Sequence, residues 1–138
     1  MVDQNCAYCM EGELVAKFGI KICELETSKV YLFKEQSHPG RCIVAHKKHV
    51  GDMKLTAEER AAYFEDVARV ARAIMKAFNP DKVNYGAYGD TGHHLHFHLC
   101  PKYKDEYEWG GVFLMNPDKK YLTDEEYAAM IEKIKANL

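Results

Sequence analysis

The sequence predicts an α+β fold, an antiparallel sheet of about five strands with one long helix and a shorter C-terminal helix. Three observations predict it. Short apolar segments fall in the order strand, strand, strand, helix, strand, strand. The connections between them are short, which favours antiparallel pairing. Two further segments open on a capping box and continue with apolar residues three and four apart, the spacing of a half-buried helix. The 138 residues carry no internal repeat, low-complexity tract or Pro/Ser linker, so a single domain spanning residues 1–138 is expected, with 102–138 as its C-terminal extension.

Lys21 to Leu25, Val30 to Lys34 and Arg41 to His46 read as the first three strands, with Thr27-Ser28 as one turn and His38-Pro39-Gly40 as a tighter connection. Thr56-Ala-Glu-Glu59 opens the long helix, whose apolar face is expected to carry Phe64, Val67, Val70, Ala71, Ile74 and Phe78. Asn79-Pro80 stops it, because a residue before proline is pushed out of the α region. Val83 to Tyr88 and His94 to Cys100 read as two more strands, joined through the Gly89-Asp-Thr-Gly92 run. Thr123-Asp-Glu-Glu126 opens the final helix, with Tyr127, Met130, Ile131 and Ile134 on one side.

Composition narrows the function. Nineteen Lys and Arg stand against 21 Asp and Glu, a net charge of −2, which argues against a surface that coats nucleic acid or an anionic membrane and leaves room for one local phosphate site. No apolar run reaches membrane-spanning length, and the opening MVDQNCAYCM has an acid where a signal peptide would have a basic stretch, so the cytoplasm is the expected location. Five Cys, irregularly spaced outside one CxxC, suit free thiols and a metal pair better than a disulfide framework.

The segment His94-Leu-His96-Phe-His98-Leu99 alternates strictly, so as a strand it lines one face with three imidazoles and the other with three apolar side chains. Burial of Leu95, Phe97 and Leu99 would pin the register. Two chemistries fit such a face: a three-histidine metal centre, or one imidazole acting as a nucleophile toward phosphorus while its neighbours hold the phosphate oxygens. Cys6-x-x-Cys9 also has two readings. A thioredoxin-type redox pair should follow a first strand and open a helix, whereas this pair lies near the start of the chain; a metal site needs two further ligands, for which spacing alone admits His38 or His46.

The run His94 to Cys100 followed by Pro101 resembles the signature of the histidine triad superfamily of nucleotide hydrolases and transferases. The resemblance takes in Asn84-Tyr-Gly86, the Gly89 to Gly92 loop, the segment Pro39 to His49 with its Lys-Lys-His ending, and the Cys6-Ala-Tyr-Cys9 start seen in bacterial members. It implies that His96 attacks the α-phosphate of a nucleotide to form a nucleotidyl-histidine that water releases. His98 would hold a nonbridging phosphate oxygen, His94 would complete the triad, and Asn84 would contact the phosphate region. The strands around Ile22 and Leu32 would wall base and ribose, and Glu35 would meet the ribose hydroxyls. A purine nucleotide or nucleotide conjugate is the implied substrate, and a homodimer the implied assembly. The family usually carries a Gln and a Ser or Thr before the triad; here Asp90-Thr91-Gly92-His93 stands one residue shorter, with Thr91 as the hydroxyl donor.

The same resemblance supplies His49 and His94 as partners of Cys6 and Cys9, giving a structural zinc of two thiolates and two imidazoles. Cys23, Cys42 and Cys100 read as core residues, Trp109 as packing beside glycines, and Lys102 to Tyr107 as a solvated loop. Two alternatives stand beside the nucleotidyl reading. One is a metal-dependent hydrolase with His94, His96 and His98 as its centre; the other is a nucleotide-binding protein whose triad is idle.

Overall fold

The computed structural model describes residues 2–138. Two short helices, α1 (Ala7–Met10) and α2 (Gly12–Ala16), precede strands β1 (Gly19–Glu24), β2 (Ser28–Phe33) and β3 (Cys42–His46). The long helix α3 (Ala57–Phe78) leads to β4 (Lys82–Gly86) and β5 (His96–Lys102), and α4 (Asp124–Lys135) closes the chain. The five strands form one sheet in the order β1-β2-β3-β5-β4, and every neighbouring pair is antiparallel.

Alternation along the strands builds two cores. Ile22, Val30, Leu32, Val44 and Leu99 face α3 and meet its Tyr63, Val67, Val70 and Ile74. The intervening residues Tyr31, Phe33, Ile43 and Ala45 face the other way and are covered by Tyr8 and Val15 of the N-terminal helices. Ile22 and Leu32 themselves therefore pack beneath the sheet, and it is the alternate residues of strand β2, Tyr31 and Phe33, that face the other side.

Helix α3 starts as its capping box requires, with Thr56 and Glu59 exchanging side-chain and backbone bonds. It ends at Asn79 in the left-handed conformation, φ 51°, just before Pro80. Val67, Val70, Ala71 and Ile74 are buried on its apolar face as expected, but the aromatic there is Tyr63, fully buried and donating to the Val44 carbonyl at 2.7 Å, while Phe64 is 42% exposed. On the same helix, Asp66 accepts bonds from the Thr27 amide and from the Thr27 and Ser28 hydroxyls, tying α3 to the β1–β2 turn.

Strand β5 begins two residues later than expected and runs two residues further. Pro101 is tolerated there because pairing with β3 ends at Leu99, so its missing N–H faces no acceptor strand. Beyond it Lys104, Asp105 and Glu106 are exposed, as a solvated loop requires, but the first residue of that loop is fastened. Lys102 is buried, donating to the Glu108 and Gly111 carbonyls at 2.6 and 2.7 Å. Tyr127 and Ile134 of α4 enter the helix-side core, and the Tyr127 hydroxyl donates to the Lys34 carbonyl. Among the described residues, no helix is long and apolar enough to cross a membrane.

Candidate active site and metal centre

His96 and His98 lie on the face of β5 away from α3, opposite Ala45 and Ile43 of β3. The His96 Nδ1 lies 2.7 Å from the His94 carbonyl. A carbonyl only accepts, so Nδ1 carries the proton and Nε2 keeps a free lone pair. Burial lowers the His96 pKa, which keeps the ring neutral, and the Tyr8 ring packs on it at 4.9 Å between centroids. His98 has the opposite polarity. Its Nδ1 lies 3.1 Å from a guanidinium nitrogen of Arg41, which only donates, so Nδ1 accepts and Nε2 bears the hydrogen. Burial, reinforced by the Arg41 charge and by His96, pushes the His98 pKa down to about 2. One strand thus presents a neutral acceptor and a neutral donor side by side, with ring centroids 5.5 Å apart.

These two imidazoles border a cleft of about 890 Å³. Phe18, Phe33 and Ile43 supply apolar lining, while Met115, Asn116 and Tyr121 reach in from the C-terminal segment. Thr91 lines it as expected. A second cavity of about 360 Å³, bordered by Gly51, Asp52, Met53, Tyr88 and His93, also reaches His96.

Two expected ligand residues are placed differently. Asn84 pairs with Cys100, two residues along β4 from the Gly86–His98 pair, and lines neither cavity. Gly86 holds the position beside His98, where a Cβ would come within 2.8 Å of the Tyr88 and Phe113 rings. Glu35 borders the cleft, but its carboxylate is committed to the protein rather than free for ribose hydroxyls. It accepts from the Ser37 amide and hydroxyl and from the Lys119 and Lys120 amides, all at 2.7 to 2.9 Å.

Cys6, Cys9, His49 and His94 bring four ligand atoms within 4.8 Å of one another. Both histidines point Nδ1 inward, 3.2 Å apart; Cys9 Sγ lies 3.3 and 3.5 Å from the His49 and His94 Nδ1 atoms, and Cys6 Sγ lies 3.4 Å from that of His94. A tetrahedral zinc with ordinary Zn–S and Zn–N bonds sets S···N edges of roughly 3.5 Å and N···N edges of roughly 3.3 Å. The donor set fits zinc in chemistry and in spacing. His94 faces the His46 carbonyl with Nε2, which leaves its Nδ1 unprotonated, and burial lowers its pKa to about 4. His94 is therefore not a third member of an open histidine centre: its ring belongs to the Cys pair, and among the described residues no metal-type group includes His96 or His98.

The remaining histidines divide. His38 is buried against Glu108 at 2.7 Å, His46 accepts from the Lys48 amide, and His93 lies exposed at the cleft mouth. Trp109, 41% exposed, lines neither cavity. Sequence reasoning missed Arg41, which is fully buried between the Phe33 and Phe113 rings, 4.1 and 4.8 Å from their centroids. Its signal was a lone charge opening an otherwise apolar strand.

Comparison with known proteins agrees with this fold. A curated relative, an adenosine 5'-monophosphoramidase of Schizosaccharomyces pombe, is 25% identical over 97% of this chain and 98% of its own length. A histidine triad protein from Sinorhizobium meliloti superposes with a TM-score of 0.84 at 23% identity, covering 92% of this chain and 95% of that one. A zinc-bound histidine triad family protein from Mycobacterium smegmatis gives 0.67 at 21% identity, over 95% and 94% of the two chains. The family model described as HIT domain matches residues 19–105, the span from β1 to just past β5, and the chain belongs to the HIT, or histidine triad, family.

Proposed function

We propose that this protein is a nucleotide phosphoramidase or nucleotidyl hydrolase that cleaves a purine nucleotide conjugate at its α-phosphate through His96. The observation that carries the reading is the His96 Nδ1–H bond to the His94 carbonyl, which leaves Nε2 as a lone pair beside the cleft. Nε2 forms a bond to phosphorus as the bond to the leaving group breaks. The leaving group departs with the electron pair and takes a proton from the hydroxyl of Thr91, which lines the cleft. Water then attacks the phosphorus and gives a proton back to Thr91, the P–N bond breaks with its electron pair returning to Nε2, and neutral His96 and the nucleoside monophosphate remain. His98 Nε2–H donates to a nonbridging oxygen as its charge grows. Phe18, Phe33 and Ile43 offer the base an apolar wall. That the S. pombe relative is an adenosine 5'-monophosphoramidase supports the reaction class.

Cys6, Cys9, His49 and His94 would hold a zinc whose contribution is structural, fixing the N-terminal helices and the loop that carries the His94 carbonyl. A homodimer is the proposed assembly, and the open edge at β4, where Tyr85 is half exposed, suits a partner.

Intact-mass measurement after mixing with a panel of adenosine and guanosine phosphoramidates and dinucleotides tests the reading. The wild type should acquire a nucleotidyl adduct on His96, and His96→Gly should lose turnover by more than about a thousandfold while staying folded. Normal activity in His96→Gly would overturn the nucleophile assignment. Nucleotide binding by the wild type without turnover of any panel member would make the triad idle.

A further inference from the structure

The Arg41 guanidinium is an unusual thing to bury. No ion pair holds it among the described residues, and its Nε has no hydrogen-bond partner. It sits between two aromatic faces and spends its other nitrogens on four acceptors: the Leu114 carbonyl at 3.0 Å, the Met115 carbonyl at 2.9 Å, the Met115 Sδ at 3.6 Å and His98 Nδ1. A desolvated cation without a counter-ion is costly, and well-packed apolar residues would usually serve stability better. What a methionine in this slot would lack is the donor at His98.

We infer that Arg41 is a positioning residue, which by donating to Nδ1 holds His98 as an Nε2–H donor aimed at the phosphate and links that donor to the 113–116 segment. The inference rests on the proposed nucleotidyl chemistry for its catalytic meaning, but the state of His98 is measurable without substrate. Protonated or flipped, the ring would lose the Arg41 bond. Released from Arg41, it could place its proton on either nitrogen or take up a second. Besides Arg41, the titratable group acting on His98 is His96 on its own strand; Cys100 of the same strand, Tyr88 of the β4–β5 loop, Glu35 of the β2–β3 connection and Glu108 of the C-terminal segment act on Arg41. None of them offers His98 a replacement bond to Nδ1.

The experiment is long-range ¹H–¹⁵N spectroscopy of the histidine rings in the zinc-loaded protein, across pH 5 to 8, for the wild type, Arg41→Lys and Arg41→Met. The wild type should show His98 with Nδ1 unprotonated and no titration. In Arg41→Met His98 should titrate within that range, kcat should fall about a hundredfold with KM changed by less than about threefold, and the pH profile of kcat should gain an ionisation that the wild type lacks. Arg41→Lys, which keeps a donor and a charge but no fork, should recover part of kcat. A wild-type His98 protonated at Nδ1, or a His98 that stays neutral and active in Arg41→Met, overturns the inference. Should Arg41→Met fail to fold, the wild-type spectrum and Arg41→Lys still decide it. Absence of turnover in the wild type would sink the nucleotidyl reading and leave the ring measurement to judge Arg41.

Discussion

Glu35 shows how much one buried carboxylate can organise. Burial alone would raise its pKa, but the bonds from Ser37 and from the Lys119 and Lys120 amides outweigh that and hold it below the usual range for Glu. A depressed native pKa stabilises the fold above the ordinary Glu value and is lost as pH falls through the native one. Urea unfolding at pH 7 and at pH 4 should therefore show a wild type that weakens in acid. Glu35→Gln should cost about 1 to 3 kcal/mol at pH 7 and lose much of that acid dependence; an unchanged midpoint at both values would show that the carboxylate does not fasten the 119–120 segment. Residue identities were legible in the sequence where the side chain itself carries the chemistry, as with His96, His98 and the Cys6–Cys9 pair. They were not where the partner is main chain: nothing in the residue types at 119 and 120 announces two amides aimed at Glu35, and nothing in Leu114 or Met115 announces a carbonyl for Arg41.

At the scale of elements, local signals served best. Both capping boxes form as written, because each is settled within four residues. Strand faces and helix phase were harder. Tyr63 and Phe64 are both aromatic, and only the depth of the sheet below α3 chooses between them. Helices α1 and α2, four and five residues long, are too short to show periodicity, and isolated helices of that length are not stable in water. Their support is tertiary, from Tyr8 and Val15 in the second core and from Cys6 and Cys9, whose thiols gather with His49 and His94. Cys6→Ser or Cys9→Ser should abolish stoichiometric zinc in elemental analysis, and hydrogen exchange should rise over residues 5–16 far more than over α3 or β3. Zinc retained at full occupancy in both variants would place the metal elsewhere.

Across the whole molecule, residues 102–138 are part of the build rather than an appendage. Tyr127 and Ile134 complete the helix-side core, and α4 packs on α3 and β1. Ile134→Ala should cost about 2 to 5 kcal/mol. Removal of residues 123–138 should cost more, a large fraction of the ~5 to 15 kcal/mol that holds a typical domain. Denaturant unfolding of the truncated chain checks this: a midpoint close to that of the full chain would mean that α4 is dispensable. The ties around the site also span most of the chain. Cys6 meets His94 across 88 positions, Arg41 meets Met115 across 74, and Glu35 meets Lys120 across 85. Contacts so distant in sequence close slowly, after local structure has formed. During synthesis, the imidazoles of β5 leave the ribosome before the segment that Arg41 must grip. No fragment lacking either end can assemble the complete pocket, and competence is acquired only when the two ends of the polypeptide have both come home to the same strand.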